Sequence, residues 1–445
     1  MSRRPIDLGE FDVVVVGSGS AGSAAAIAAA RQGARTLVVE KLPFLGGVST
    51  AVLDTFYGFY TPGEVAHKVV GGIADEVVAE LRRLGTVVER PNTYGAGTGI
   101  TYLPDHLKIV WERLVTAAGA RVLLHAMVQD VAVDNGRVHS IVIATKAGLG
   151  IVRCRVAIDA SGDGDVCHFA GFSYELAGRD SPAQSLTTTF RLVNVDVDLR
   201  RTVSRDELHR LMREAANSGL YHLPRRDGSD HITPIPGVTA TVMTRVPGAV
   251  VSGEVTVNAT DPWYLTEVEI EGRRQVLEYT RFLRDRIPGY ANSQLVAMST
   301  QIGLRETRRI RGEYVLTADD VLQARQFDDQ VALSGAPIED HRSDDTTRWQ
   351  YLPEGRVVGI PLRALLPRDG ENVLVVGRCF SATHDAHAAV RSMAQCMAMG
   401  QAAGTLAGLA TTNSRDIRDV HFNVLRDRLR DDGAILLLDE GAPCR

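Results

Sequence analysis

Gly17, Gly19 and Gly22 stand in the spacing G-x-G-x-x-G, directly after the run Phe-Asp-Val-Val-Val-Val at residues 11–16. A turn of this kind can hold a pyrophosphate. Gly17 permits the tight bend, Gly19 lets the backbone come close to the phosphates, and a helix opening at Ser20, Ala21 and Gly22 points its amide dipoles at their charge. Ser18 lies inside the same turn. Glu40, at the end of a second apolar run at residues 36–39, is placed to accept a hydrogen bond from a ribose hydroxyl. Its charge also opposes a 2′-phosphate, so the ligand expected here is an ADP-ribose moiety without one. The bland alternative is a glycine-rich surface turn. A second group of residues able to do chemistry lies far downstream, where His384 and His387 flank Asp385 and Arg391 follows. Two imidazoles at that spacing could bind a metal, move a proton or only hydrogen-bond within the fold. Arg305 beside Glu306 could bind an anionic ligand or form an ion pair between parts of the fold.

These groups need elements to position them. The β-branched run at 11–16 reads as a strand buried on both faces. Ala26, Ala30 and Gly33 continue the small residues at helical spacing, so the first helix can lie close to a sheet. Residues 105–118 carry helical periodicity (Leu107, Val110, Trp111, Leu114, Val115), and residues 122–124 read as a strand. From residue 127 to 158 three short strands alternate, with Asp134-Asn135-Gly136 as a hairpin turn. The run at 156–159 then enters Asp159-Ala160-Ser161-Gly162-Asp163-Gly164-Asp165, whose acids could also suit a hard cation but lack the ligand spacing of a calcium loop. A last apolar strand, at 372–376, enters Gly377-Arg378-Cys379. It is followed by a helix at 394–409 carrying Met399-Gly400-Gln401-Ala402-Ala403-Gly404.

Several of these stretches resemble FAD-dependent oxidoreductases related to glutathione reductase and the fumarate reductase flavoprotein. The segment Lys41 to Thr50, with Gly46, Gly47, Val48 and Ser49, is similar to one that runs along the pyrophosphate and ribityl chain. The segment at 156–165, Gln301 to Tyr314, and the block from Gly377 through Ser381-Ala-Thr383-His384 to Gly404 match the same family. The resemblance spans residues 11 to about 435. It implies bound FAD and an α/β fold: a doubly wound, parallel, Rossmann-like sheet with an inserted β-rich α+β substrate or cap domain. The expected division is 1–175 and 355–412 for the FAD-binding domain, 176–354 for the cap and 413–445 for a helical tail. Val128, Ala160, Ser161, Gly162, Asp163, Gly377, Arg378, Met393 and Gln401 join the glycine loops as cofactor-binding residues. The helix beginning near Arg391 to Met393 is expected to face the O2/N1 edge of the isoalloxazine.

The implied activity is oxidation of a small organic substrate by hydride transfer to flavin N5, with His384, His387, Arg391 and Arg305 as catalytic residues and His384 as the base. Flavin-dependent reduction of a C=C or C=N bond is the alternative, and a carrier protein of similar fold is a third reading. Two patterns known in the wider group are missing. There is no His-Arg-Leu-Gly-Gly of fumarate reductases, and no cysteine pair follows the first nucleotide motif, so neither dicarboxylate reduction nor disulfide exchange is expected. No second G-x-G-x-x-G marks a nicotinamide domain. Tyr57, Tyr60 and Tyr102 could wall a substrate pocket or fill core, and Cys379 is read as packing.

Composition bounds the rest. The chain has 445 residues, 44% hydrophobic and 23% charged, with 54 acids against 49 bases. This fits a large globular protein and suggests neither nucleic-acid nor membrane binding. Five cysteines with no C-x-x-C indicate neither a disulfide framework nor a metal knuckle. The polar first residues suggest no secretion signal, and a cytoplasmic enzyme is expected. Its partner is a small-molecule substrate; the electron acceptor and a homo-oligomeric state are left open. Glycine is frequent, 42 residues against a typical share of about 7%. The cause expected is close backbone approach to an extended dinucleotide at Gly17–Gly22, Gly46–Gly47, Gly162–Gly164, Gly377 and Gly400–Gly404.

Overall fold

Val13 to Val16 have no polar face to offer solvent, and in the computed structural model they lie in an inner strand of a seven-stranded sheet. The structure describes residues 4–90, 95–253, 255–342 and 347–438. β1 (Ile6–Val16) pairs in parallel with β2 (Thr36–Val39), and β2 with β3 (Arg121–Leu123). An antiparallel meander follows: β4 (Met127–Asp134), β5 (Arg137–Thr145) and β6 (Gly148–Asp159). The last of these pairs in parallel with the free side of β1, giving the order 3-2-1-6-5-4. The β4–β5 turn has Asn135 at φ 48° and Gly136 at φ 75°, the two left-handed residues of a type I′ hairpin. Between β1 and β2, α1 (Ser20–Arg31) is buried from Ser20 to Ala29.

Strand register decides where the loops meet. Val16 lies level with Val39 and with Asp159, and Val39 with Leu123. The loops leaving those four ends therefore share the carboxyl edge of the sheet, where open parallel sheets bind ligands. Main-chain bonds extend the ladder into the loops, with Gly17 N donating to Val39 O and Ala160 N to Val16 O, both at 2.8 Å.

A second, antiparallel sheet contains β7 (Phe190–Val193), β8 (Ser229–Ile232), β9 (Thr239–Val242) and β10 (Gln294–Met298) in the order 8-9-7-10. Against it, α2 (Pro262–Arg286) buries Val276, Tyr279, Phe282 and Leu283 with Phe190, Leu192 and Met212. Asp261 accepts from Trp263 N and Tyr264 N, and Pro262 fills the first helical position. The helix thus starts before Leu265, where apolar spacing alone begins it. Between residues 186 and 193 only Phe190–Val193 forms a strand; ahead of it Thr188 N donates to Thr244 Oγ1 and not to a main-chain carbonyl, and the Thr189 hydroxyl donates to Val52 O. The stretch 250–258 folds back as a hairpin, Ala249–Ser252 on Val255–Asn258.

The chain then returns to the first sheet. β11 (Val373–Val375) pairs in parallel with the end of β6, Val375 level with Asp159, which brings the Gly377-Arg378 turn to the same carboxyl edge. α3 (His384–Val390) and α4 (Met393–Thr412) follow. α4 packs along α1 through Gly400 and Gly404: a Cβ on either would stand 2.0 Å from Ala21 O or 2.1 Å from Ala25 O. The expectation that these two glycines admit a dinucleotide is therefore corrected, since their missing side chains admit a helix. A final helix, Phe422–Asp431, buries Leu425 and Leu429. Among the described residues no helix is long and apolar enough to cross a membrane.

Candidate active site

The five strand ends open on one cavity of about 370 Å³. Its lining runs from Gly17 to Ala21 through Glu40 and Lys41, Gly47 and Val48, Val128, Ala160 to Asp163, and Gly377 with Arg378, to Arg391, Ser392 and Met393. The three glycines of the first loop test whether a dinucleotide fits. A Cβ on Gly17 would lie 2.4 Å from Ala160 O, and one on Gly22 1.9 Å from Gly17 O, so both are bare because backbone fills the space. A Cβ on Gly19 would meet nothing within 4 Å. Gly19 is also the N-cap of α1, where no side chain caps the amides and no acid occupies the first turn. Open space beside uncapped amides is what a pyrophosphate requires.

Glu40 is already engaged. Its Oε2 accepts from Ser18 N at 2.9 Å and Ser18 Oγ at 2.6 Å, and its Oε1 from Leu42 N at 2.8 Å. A carboxylate has about four acceptor positions, which leaves room for a ribose hydroxyl beside these bonds. The acids at and after the end of β6 are hydrogen-bonded as well. Asp159, buried, accepts from Ser161 Oγ at 2.7 Å and Cys167 N at 3.0 Å. Asp163 accepts from Thr307 Oγ1 at 2.7 Å and Arg378 Nη2 at 2.8 Å. Burial pushes the Asp163 carboxyl up, but Arg378, Lys41, the Thr307 hydroxyl and Arg308 together outweigh it and hold the group below its ordinary range. Burial, with Asp163 and Asp159 nearby, raises Asp165 to about 6.

Not every expected residue reaches the cavity. Gly22, Gly46, Ser49 and Gln401 do not line it: Ser49 Oγ donates to Gly46 O, while Gln401 takes Ile73 N and donates to Asp432 O. Gln401 thus ties α4 to Ile73 and Asp432, because about two turns of helix separate it from Met393 at the cavity. The histidines depart further from expectation. His384 is buried with Nδ1 2.9 Å from Glu306 Oε2 and Nε2 3.1 Å from Asp340 Oδ1, so both ring nitrogens are taken. His387 is buried with Nε2 2.7 Å from Arg378 O, and burial holds its pKa well below the usual imidazole value. Neither ring lines the cavity. Asp340, His384 and Asp385 come close enough to share a cation, but Arg342 already pairs with both acids. Tyr102 is core, its ring tilted against Phe56 and its hydroxyl donating to Ser49 O, and Tyr60 lies off the cavity; Tyr57 lines it. Cys379 is buried against the Asp159 and Val376 carbonyls.

Arg305 and Arg391 do line the cavity, among residues not singled out from the sequence: Asp54, Arg225, Asp227, His231, Glu339 and His341. His231 Nε2 lies 2.9 Å from Asp54 Oδ1, and Arg191 approaches Asp54 Oδ2 at 3.3 Å. Burial opposes the Asp54 charge, yet His231 and Arg191 more than offset it and hold the carboxyl well below its ordinary range. His231 Nδ1 has no hydrogen-bond partner among the described residues. His341 is held between Glu339 Oε1 at 2.9 Å and Thr347 Oγ1 at 3.0 Å. These groups come from the loop after Gly47, from β8 and the loop ahead of it, and from the stretch around Ile338–Asp340. No spacing in one sequence links them; the available signal is a lone acid set in an apolar stretch, as in Leu53-Asp54-Thr55-Phe56.

A family model described as "FAD dependent oxidoreductase" matches residues 12–429. The digeranylgeranylglycerophospholipid reductase of Thermoplasma acidophilum is 29% identical over 201 residues, 42% of this chain and 48% of that protein. The chain thus matches about half the length of that curated relative. The 3-oxosteroid 1-dehydrogenase of Mycobacterium tuberculosis is 67% identical over 94 residues, 18% of this chain and 16% of that protein. Among solved structures, a geranylgeranyl bacteriochlorophyll reductase-like protein of Thermoplasma acidophilum aligns with a TM-score of 0.50 at 16% identity, over 95% of this chain and 84% of that one. This last likeness is one of fold.

Proposed function

We propose, for a chain that belongs to the family of FAD-dependent oxidoreductases, that it oxidises a small organic substrate at a C–H bond adjacent to a hydroxyl, an amine or an activated carbon. FAD, when bound, supplies the acceptor for the hydride, which carries both electrons removed from the substrate. The observation carrying the proposal is the continuity of the cavity, from the uncapped amides at Gly19 to the polar end around His231 and Arg305. The loop residues from Gly17 to Ala21, with Glu40 and Gly162, would hold the ADP half. Arg378 and the start of α4 at Met393 would lie toward the flavin half.

His231 replaces His384 as the group assigned to proton transfer. An Nε2–H···Oδ1 bond to Asp54 orients the ring and leaves Nδ1 to accept the proton released with the hydride. Reduction of a C=C or C=N bond is the second reading, favoured by the reductase name of the Thermoplasma relative. The same residues would then deliver a proton rather than take one.

The test is to purify the protein, measure its FAD content, and mix the holoenzyme anaerobically with a panel of alcohols and amines. Bleaching of the flavin band with formation of the carbonyl or imine product supports oxidation. A holoenzyme bleached by none of them, whose chemically reduced form is reoxidised by unsaturated compounds, supports the reductase reading. A protein that neither carries nor takes up FAD overturns both.

A further inference from the structure

Two arginines at the polar end of the cavity are partly buried with no carboxylate bonded to them. Arg305 Nη1 donates to Ser185 O at 2.7 Å and to Thr187 Oγ1 at 2.8 Å. Arg391 Nη2 donates to Gln184 Oε1 at 3.0 Å. The two guanidinium groups are thus held by one extended segment, residues 184–187, and both line the cavity. Neither has an acid within ion-pair distance among the described residues, whereas Arg225 pairs with Asp227 on the same wall. Arg391 Nε and Gln184 Nε2, which belong to side chains bonded to each other, are buried with no hydrogen-bond partner.

A buried guanidinium carries a large desolvation cost unless an anion meets it. Here neutral oxygens accept all the hydrogen bonds of the two groups among the described residues, and burial together with Arg391 and Arg225 holds Arg305 well below its usual pKa. Burial and the same cations hold His341 well below the usual imidazole range, so it adds no charge of its own. Glu339, on the same wall, acts on both guanidinium groups through space, but its carboxylate is bonded to His341 and lies within ion-pair distance of neither among the described residues.

We propose that Arg305 and Arg391, set side by side on the 184–187 segment, bind a carboxylate of the substrate, which makes this an oxidoreductase for small organic acids carrying the reacting C–H. The inference rests on reading the polar end of the cavity as the substrate site. The carboxylate would accept from the free N–H groups of both arginines and of Gln184. That arrangement would fix the substrate by one end while its reacting carbon lies toward the flavin half.

The test uses the holoenzyme and two probes of equal shape, hexanoate and hexanamide, titrated while the flavin absorbance and the heat of binding are followed. Hexanoate is expected to bind about tenfold or more tightly than hexanamide, because only the anion gains charge-assisted bonds. Arg305→Gln and Arg391→Gln should each remove that preference, while Arg305→Lys, which keeps the charge, should retain part of it. Equal binding of the two probes to the wild type overturns the proposal without recourse to a variant, as does an unchanged preference in folded, FAD-loaded Arg305→Gln and Arg391→Gln. Flavin bleaching by neutral alcohols or amines at rates equal to those of their acid counterparts overturns the proposal and leaves the oxidoreductase reading standing. Tight hexanoate binding in an enzyme bleached by no substrate leaves the anion site standing and removes the oxidation reading.

Discussion

Asp54 Oδ1 lies 2.9 Å from Nε2 of His231, a residue 177 positions away, and both side chains are almost fully buried on the wall of one cavity. One side chain follows the second glycine loop of the nucleotide sheet and the other sits on the second sheet. The contact therefore joins the two sheets where the substrate is proposed to bind.

Replacing Asp54 with Asn should lower the rate of flavin reduction roughly 10²-fold, the lower end of what a positioned acid–base group contributes. The FAD content should stay the same. The acid limb of stability should change too. The folded pKa of Asp54 lies below its unfolded value of about 3.9, so its ion pairing stabilises the fold fully above that pH and is lost as pH falls through the folded pKa. Thermal unfolding followed from pH 7 to pH 3 should show wild type losing a component of stability below about pH 4 that Asp54→Asn lacks at every pH.

Gly19 and Gly22 should separate ligand binding from folding. Gly19→Val places its side chain in open space beside the α1 amides, so it should reduce FAD occupancy while leaving the unfolding of the apoprotein nearly unchanged. Gly22→Ala drives a Cβ to 1.9 Å from Gly17 O and should cost about 1–3 kcal/mol of stability through overpacking. Flavin absorbance per protein and chemical denaturation of both variants check the pair.

His384→Ala should act on the fold and spare the chemistry. Removing the ring leaves Glu306 and Asp340 each short of a buried hydrogen bond, although Arg309 and Arg342 still pair with them. The expected loss is about 1–3 kcal/mol, measured by denaturation, with the flavin reduction rate of the loaded fraction within a few-fold of wild type.

The glycine-loop end of the cavity was readable as a shared edge because its determinants are local. A β-branched run, a glycine turn and a terminal acid lie within 30 residues, and strand register then carries four more loops to the same edge. The family resemblance added Arg378 and Met393. Gln401, Gly400 and Gly404 belong to the same C-terminal block, but helical geometry turns them toward α1 and the chain's end. His384 and His387 carried the chemistry most visible in the sequence, yet their partners, Glu306, Asp340 and the Arg378 carbonyl, lie 78, 44 and 9 residues away and take up the rings. Asp54, His231 and Arg225 left no pattern because three separate elements bring them together.

The most direct measurement is the single-turnover rate of anaerobic flavin bleaching in wild type and in His231→Gln, both loaded with FAD and mixed with the same substrate across a range of pH. A fall of about 10²-fold or more in His231→Gln, with FAD content unchanged and the pH dependence of the wild type abolished, is the result expected if the two ends of the cavity work as one site. Equal rates and equal pH profiles in the two proteins would contradict it.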